Sequence, residues 1–356
     1  MRTLRTLLTV LLLAGASRAG ADWDEETFLR KSVPVFTVST PRKGEPPTDT
    51  VVGEVRAYRI KKGDTLMDLA RYFSLGYNEI VEANPGIDPW VPPAGSTILL
   101  PTEWVLPCCT YEGVVVNIPE MRLFFYQRSP QDPHATIVHT FPVGLGRDDW
   151  RTPSGKFRIR GKTVNPQWNI PESIRKEHIE DRGDSRTFIP GGDPDNPLGK
   201  YRIELTLPMY GIHGTNIPWG VGMQVSHGCV RLYPEDIERL FPLVPIGASG
   251  EFIYQPVKAG RRGDAAYIEI HRDIYAYSPA LYREASEAVA RAHVGDMVDQ
   301  RLLMGALEDG GGGMPIRLTP EAGAVVVPTN AEETRPREGA TGDGAAHPDT
   351  DEEGDD

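Results

Sequence analysis

Two short stretches hold the residues best suited to chemistry: Ile212-His213-Gly214-Thr215-Asn216 and Ser226-His227-Gly228-Cys229-Val230-Arg231-Leu232. A free thiol titrates near pH ~8.5 and is only a few per cent thiolate at neutral pH, so a nucleophilic cysteine needs an imidazole or a dipole beside it. Cys229 as nucleophile, with His213 as its base, answers that need. Gly214 and Gly228 adjoin the two side chains, where a missing Cβ lets the backbone turn sharply and lets a substrate carbonyl come close to the main chain. The same residue types also suit blander roles. A lone cysteine is commonly a small buried hydrophobe, and a lone histidine a satisfied core residue. Zinc takes both as ligands, but a structural zinc site wants four, often in short Cys or His pairs. The other cysteines, Cys108 and Cys109, are adjacent and far upstream. An acyl-transfer site is the first expectation.

Such a pair needs a rigid frame, and the surrounding sequence from 112 to 257 has the texture of one. Gly113 to Ile118 and Met121 to Tyr126 are rich in β-branched and aromatic residues, with further strand-like runs at Thr136 to Val143, Gly155 to Ile159, Lys200 to Leu205 and Glu251 to Tyr254. Many short strands broken by Gly, Pro and Asn predict a mainly β sandwich or barrel. Between Thr163 and Leu198 five prolines interrupt the pattern. A long irregular insertion in a compact domain is usually functional, and this one is expected to form a lid or wall beside the cysteine.

A smaller segment, 55–101, reads as strand, helix, helix, strand. Ala57 to Ile60 is the first strand, and Lys61-Lys62-Gly63-Asp64 makes a turn whose Asp64 can cap the helix that begins at Thr65-Leu66. Asn84-Pro85-Gly86 closes a second helix, and Thr97 to Leu100 is the last strand. This βααβ unit is expected to be separable from the chemistry, so that its deletion spares the reaction. Residues 22–54 read as a Pro- and Thr-rich linker. Residues 258–310 read as a small accessory segment with a helix from Pro279 to about His293, and 311–356 as a disordered acidic tail too poor in apolar residues to offset its ordering entropy.

Arg2 and Arg5 precede an apolar run from Leu7 to Ala14 and small residues ending in Ala19-Gly20-Ala21, the pattern of a cleavable secretory signal over 1–21. That run is shorter than the roughly 20 residues a bilayer span needs. No cysteine stands near the cleavage point to take a lipid, so the exported protein is expected to be free of the membrane and not to span it. A formal charge of −12 and the lack of a basic face speak against nucleic acid as a partner. An odd cysteine count in an exported chain leaves at least one free thiol, expected at Cys229.

With these residues in view, the chain resembles an L,D-transpeptidase with a YkuD-type catalytic domain, in the Gram-negative periplasmic subgroup that carries a LysM module. The resemblance covers about 55 to 257. It rests on Asn117-Ile118-Pro119-Glu120-Met121-Arg122-Leu123, Arg151-Thr152-Pro153-Ser154-Gly155, Asp195-Asn196-Pro197-Leu198-Gly199, the two stretches above, and the LysM-like residues Tyr58 to Leu66, Ile80 to Gly86 and Ile98 to Pro101. It implies that Cys229 attacks the carbonyl joining diaminopimelate to the terminal D-alanine of a peptidoglycan tetrapeptide stem, with His213 as general base and acid. It implies oxyanion and loop support from Ser226, His227 and Gly228, and neither cofactor nor metal. Arg231, Gly214, Thr215 and Asn196 become candidates for substrate contact. Arg231 stands where the wider family often has Asn. The implied partners are peptidoglycan, held also through LysM, and an outer-membrane lipoprotein with a C-terminal lysine as acceptor. A second stem, water, or a non-catalytic glycan-binding scaffold are the alternatives.

Overall fold

The computed structural model describes residues 23–40, 47–278 and 280–321. The expected signal sequence and the acidic stretch beyond 321 lie outside the described residues. Nine strands build the frame: β1 (Val35–Ser39), β2 (Gly113–Asn117), β3 (Arg122–Arg128), β4 (Ala135–Pro142), β5 (Gly155–Val164), β6 (Tyr201–Leu205), β7 (Gly211–His213), β8 (Val230–Arg231) and β9 (Ser249–Ile253). Their spatial order is β1-β4-β3-β2-β9-β5-β6-β7-β8. Neighbours are antiparallel except β9 beside β2 and β8 beside β7, which are parallel. The mainly β expectation holds. Strand β5 pairs with β9 over Gly155–Arg158 and with β6 from Ile159 onward, the latter pairing shifting register between Ile159 and Gly161. A bulge bends a strand and raises its twist, so the last three strands form a panel of their own.

Side chains of a strand alternate between faces, and here both faces are covered. Val114, Val116, Leu123 and Phe125 enter one core with Ile203, Leu205, Ile212, Val230 and Leu232. Val115, Phe124, Tyr126 and Val138 enter a second core with Ile60, Leu66, Leu69, Leu75, Ile80, Ile98 and Leu100. That is why β2 and β3 read as unbroken apolar runs instead of alternating ones.

The second core joins the frame to the βααβ unit. Arg56–Arg59 pairs with Thr97–Leu100, and between them lie α2 (Leu66–Tyr72) and α3 (Tyr77–Glu82), preceded in the chain by α1 (Glu25–Leu29). Asp64 does not cap α2. Thr65 does, accepting from the Asp68 N–H at 3.0 Å, while Asp64 closes the turn by accepting from the Lys61 N–H at 2.7 Å. Buried ion pairs cross the same boundary: Arg122 of β3 holds Glu79 of α3 at 2.8 Å, and Arg71 of α2 holds Glu235 at 2.9 Å. Lys31 bonds Glu235 and Asp236 at 3.1 and 3.0 Å. The unit is therefore not separable in the way its sequence suggests.

The expected linker is structured as well. Its residues supply α1 and β1, and β1 extends the frame by pairing Val35–Ser39 with β4. Five residues of alternating character between prolines are too few to stand out in sequence. Beyond the frame, Val257–Arg262, Ala265–Ile270 and Ile316–Arg317 make a three-stranded sheet. It packs on two helices, α6 (Leu281–Arg291) and α7 (Gln300–Asp309), around Leu318 and its apolar neighbours. The tail expected from 311 thus keeps its place through this strand, because Ile316 and Leu318 find an apolar cluster. Two further helices position the site: α4 (Glu172–Arg182), inside the insertion, and α5 (Pro234–Leu243). No helix among the described residues is long and apolar enough to cross a membrane.

Candidate active site

In the panel β6-β7-β8, Ile212 lies opposite Val230 and His213 opposite Arg231. The same register sets Cys229 level with Gly211, whose N–H bears on the thiol, and so on the face that carries His213 two residues further along β7. His213 is buried, with Nδ1 at 2.7 Å from the Gly214 carbonyl. A carbonyl only accepts, so Nδ1 carries the proton and Nε2 keeps its lone pair. Burial pushes the imidazole down to about 3, and the Arg231 charge acts in the same sense. Cys229 is half-buried, its Sγ 3.6 Å from the Met209 carbonyl. Burial raises its thiol, while the Gly211 N–H and the charges of Arg202 and Arg231 pull it down. At neutral pH both partners rest uncharged.

The turn ahead of Cys229 is braced from within. Ser226 Oγ accepts from the Gly228 N–H at 3.1 Å and donates to the Cys229 carbonyl at 2.6 Å. The Gly228 N–H is thereby committed to the turn and is not a donor to substrate; Gly228 belongs to loop support. Its φ of 98° favours glycine, and an added Cβ would stand 2.6 Å from Tyr210 Cε1. Thr152 Oγ1 donates to the Gly228 carbonyl at 2.9 Å and accepts from the Gly146 N–H at 3.1 Å. The Tyr275 hydroxyl ties the same pair of loops, accepting from the Thr152 N–H at 3.1 Å and donating to the Gly146 carbonyl at 2.6 Å. Thus a residue of the expected accessory segment supports the cysteine loop.

His227 faces the insertion. Its Nε2 lies 2.7 Å from Glu177 Oε2 of α4, Glu177 is held in turn by Arg147, and the Trp150 ring meets the imidazole edge-on at 5.2 Å. The insertion therefore does stand as a wall next to the cysteine loop. Two of the expected substrate contacts are occupied elsewhere. Asn196 is buried and donates to the Pro166 and Pro190 carbonyls at 2.8 and 2.9 Å while accepting from the Leu198 N–H, so it pins the insertion. Thr215 Oγ1 accepts from the Ile217 N–H at 3.0 Å and shapes the turn after His213. Gly214 serves His213 through its carbonyl. Arg231 has its main chain paired with Gly144, and among the described residues its Nε has no partner.

Glu177, Thr152, Tyr275 and Arg202 were not expected at the site. Only Arg202 had a readable signal: in Tyr201-Arg202-Ile203-Glu204-Leu205 polar residues alternate with apolar ones, which puts Arg202 on the face away from the core. Among the described residues one group has metal-ligand character, the buried Glu120, Glu269 and His271. Its cation is the Lys258 ammonium, 2.8 Å from Glu120 and 3.1 Å from Glu269.

Residues 112–258 match the L,D-transpeptidase catalytic domain and residues 58–101 the LysM domain. The chain is 37% identical over 234 residues to the probable L,D-transpeptidase YbiS of Escherichia coli K12, covering 64% of this chain and 74% of that one. It is 37% identical over 212 residues to the probable L,D-transpeptidase ErfK/SrfK of the same strain, covering 59% of this chain and 66% of the relative. To the putative L,D-transpeptidase YkuD of Bacillus licheniformis it is 31% identical over 190 residues, which is 53% of this chain and 94% of that protein.

Proposed function

The chain belongs to the L,D-transpeptidase family and acts on peptidoglycan, and from that premise we propose that Cys229 carries the acyl group and His213 moves the protons. Sγ attacks the carbonyl between diaminopimelate and D-alanine, and its proton passes to Nε2 of His213. The C–N bond breaks, the imidazolium protonates the departing amine, and a thioester remains. An acceptor amine then attacks the thioester, gives its proton back through His213, and releases the thiol. Splitting one amide exchange into two steps lowers each barrier.

The observation that carries this reading is the His213 Nδ1 contact with the Gly214 carbonyl. It fixes the tautomer whose free nitrogen can take a proton, without any carboxylate partner. Because thiol and imidazole both rest neutral, charge separation is deferred until the carbonyl arrives, and main-chain N–H groups of His227 and Cys229 are the assigned oxyanion donors. Each such donor is worth roughly 3 kcal/mol at the transition state. The acceptor is assigned as the C-terminal lysine of an outer-membrane lipoprotein, and the place of action as the periplasm; the resemblance to exported, LysM-bearing enzymes supports both. LysM is assigned to glycan retention.

Mature protein incubated with tetrapeptide muropeptides, with and without a lipoprotein ending in lysine, tests the chain of steps by product mass. Release of D-alanine should vanish in Cys229→Ala and fall by about 10²- to 10⁴-fold in His213→Ala. Undiminished release in Cys229→Ala defeats the nucleophile. A direct cross-link between stems, formed in preference to the lysine adduct, defeats the acceptor alone.

A further inference from the structure

Three adjacent strands place Arg202, His213 and Arg231 in one row, Arg202 opposite His213 and His213 opposite Arg231. Directly opposed residues share a face of the sheet, so two guanidinium groups flank the imidazole. Gly211 lies on that same face, two residues before His213, and its missing side chain leaves a lane across β7. Arg202 reaches over it: Nε stands 3.4 Å, and the terminal Nη2 3.9 Å, from the point a Cβ on residue 211 would occupy. The lane leads toward the Gly211 N–H and the Cys229 thiol.

Among the described residues no carboxylate forms an ion pair with Arg202 or Arg231, and the Nε atoms of both are buried without a partner. Glu204, which shares the face with Arg202, is bound to Arg160 at 3.2 Å. Two unpaired cations beside a half-buried thiol repel each other and leave donors unsatisfied, which is unfavourable unless a ligand brings negative charge. Planar forks of N–H donors match carboxylates.

We infer that Arg202 and Arg231 together form a carboxylate-binding site at the reaction centre, which takes a free carboxylate of the stem peptide. The inference rests on the reading of Cys229 as acyl carrier, because that reading places the stem in this corner. Two carboxylates of the stem are near enough to the scissile bond to be the ligand: that of the terminal D-alanine, and the distal one of diaminopimelate. The thiol proton and the leaving amine are handled by His213; Arg202 positions the stem.

The test is binding, in full-length Cys229→Ala protein so that no turnover intervenes, of three synthetic stems: the tetrapeptide acid, its C-terminal carboxamide, and the stem amidated on diaminopimelate. One of the two carboxamides should bind about tenfold or more weaker than the acid, and which one identifies the carboxylate. Added Arg202→Gln should weaken the acid to a similar extent and erase the discrimination, while Arg202→Lys should restore part of it. An acid-to-amide ratio that is unchanged in Arg202→Gln overturns the proposal, including the case in which the substitution alters only the alkylation profile of Cys229 in the otherwise native protein. If Arg202→Gln does not fold, the ratio in Arg202→Met, which also removes the charge, decides by the same criterion. Persistent turnover in Cys229→Ala would overturn the nucleophile and leave this ratio to be read independently.

Discussion

His213 holds its proton far more weakly than an exposed imidazole, because burial and the neighbouring Arg231 charge both disfavour its cationic form. A base must be deprotonated to work, and the acid limb of kcat/KM reports the free enzyme's base. That limb is expected near pH 3, with no inflection near 6.5, when D-alanine release is measured across pH. The thiol moves the opposite way, so alkylation of Cys229 should accelerate only above the ordinary thiol range of about 8.5. A thiol titrating near 6 would mean a preformed ion pair and would contradict the neutral resting state. The pair itself was legible, since cysteine and histidine are scarce and their glycine neighbours are informative. Its surroundings were not, because Glu177 meets His227 across 50 positions and Tyr275 meets Gly146 across 129. Asn196 shows the reverse failure: a polar residue in a telling motif proved to be spent on backbone carbonyls.

At the scale of elements, α4 is the case where prolines hid a helix. Pro171 stands directly before its first residue and Gly183 caps it in the left-handed conformation, φ 71°. The glycine is an ordinary stop signal, but Pro171 sits at the N-cap, one place ahead of the usual first-turn proline, and the proline-rich flanks outweigh both in the sequence. The helix is seated on a small apolar cluster of its own, Ile170, Ile174 and Ile189 with Trp168. Emptying it should therefore act locally. Ile174→Ala removes buried volume worth roughly 2–5 kcal/mol in a well-packed site, and the loss should fall on the insertion and not on the frame. Hydrogen exchange over 168–189 is expected to quicken and KM for the stem to rise severalfold, with the global unfolding midpoint little changed. An unaltered KM would show that the wall beside His227 does not touch substrate. Strand existence was well marked by β-branched and aromatic runs, whereas β1 and the bulge in β5 depend on partners far along the chain.

At the scale of the molecule, the βααβ unit and the frame share one core and two buried ion pairs. Deleting 55–101 would bare Val115, Phe124, Tyr126 and Val138, leave Arg122 without its carboxylate, and leave Glu235 with Lys31 alone. The truncated chain is expected to be insoluble or unfolded by circular dichroism, and not a working enzyme that merely lets go of the wall. Glu79→Ala offers a milder probe: it strands the buried Arg122 guanidinium, and should cost about 3–5 kcal/mol in chemical unfolding. A folded, active deletion product would refute the shared core. The sequence divides these parts because each matches its own pattern, and the charges that join them, Arg71, Glu79, Arg122 and Glu235, look in sequence like ordinary surface residues. Such a junction also constrains ancestry. A catalytic domain of this kind cannot trade its glycan module for that of a cousin by simple recombination, since any crossover near 101–112 would inherit one half of each charge pair, and the two halves must change together or not at all.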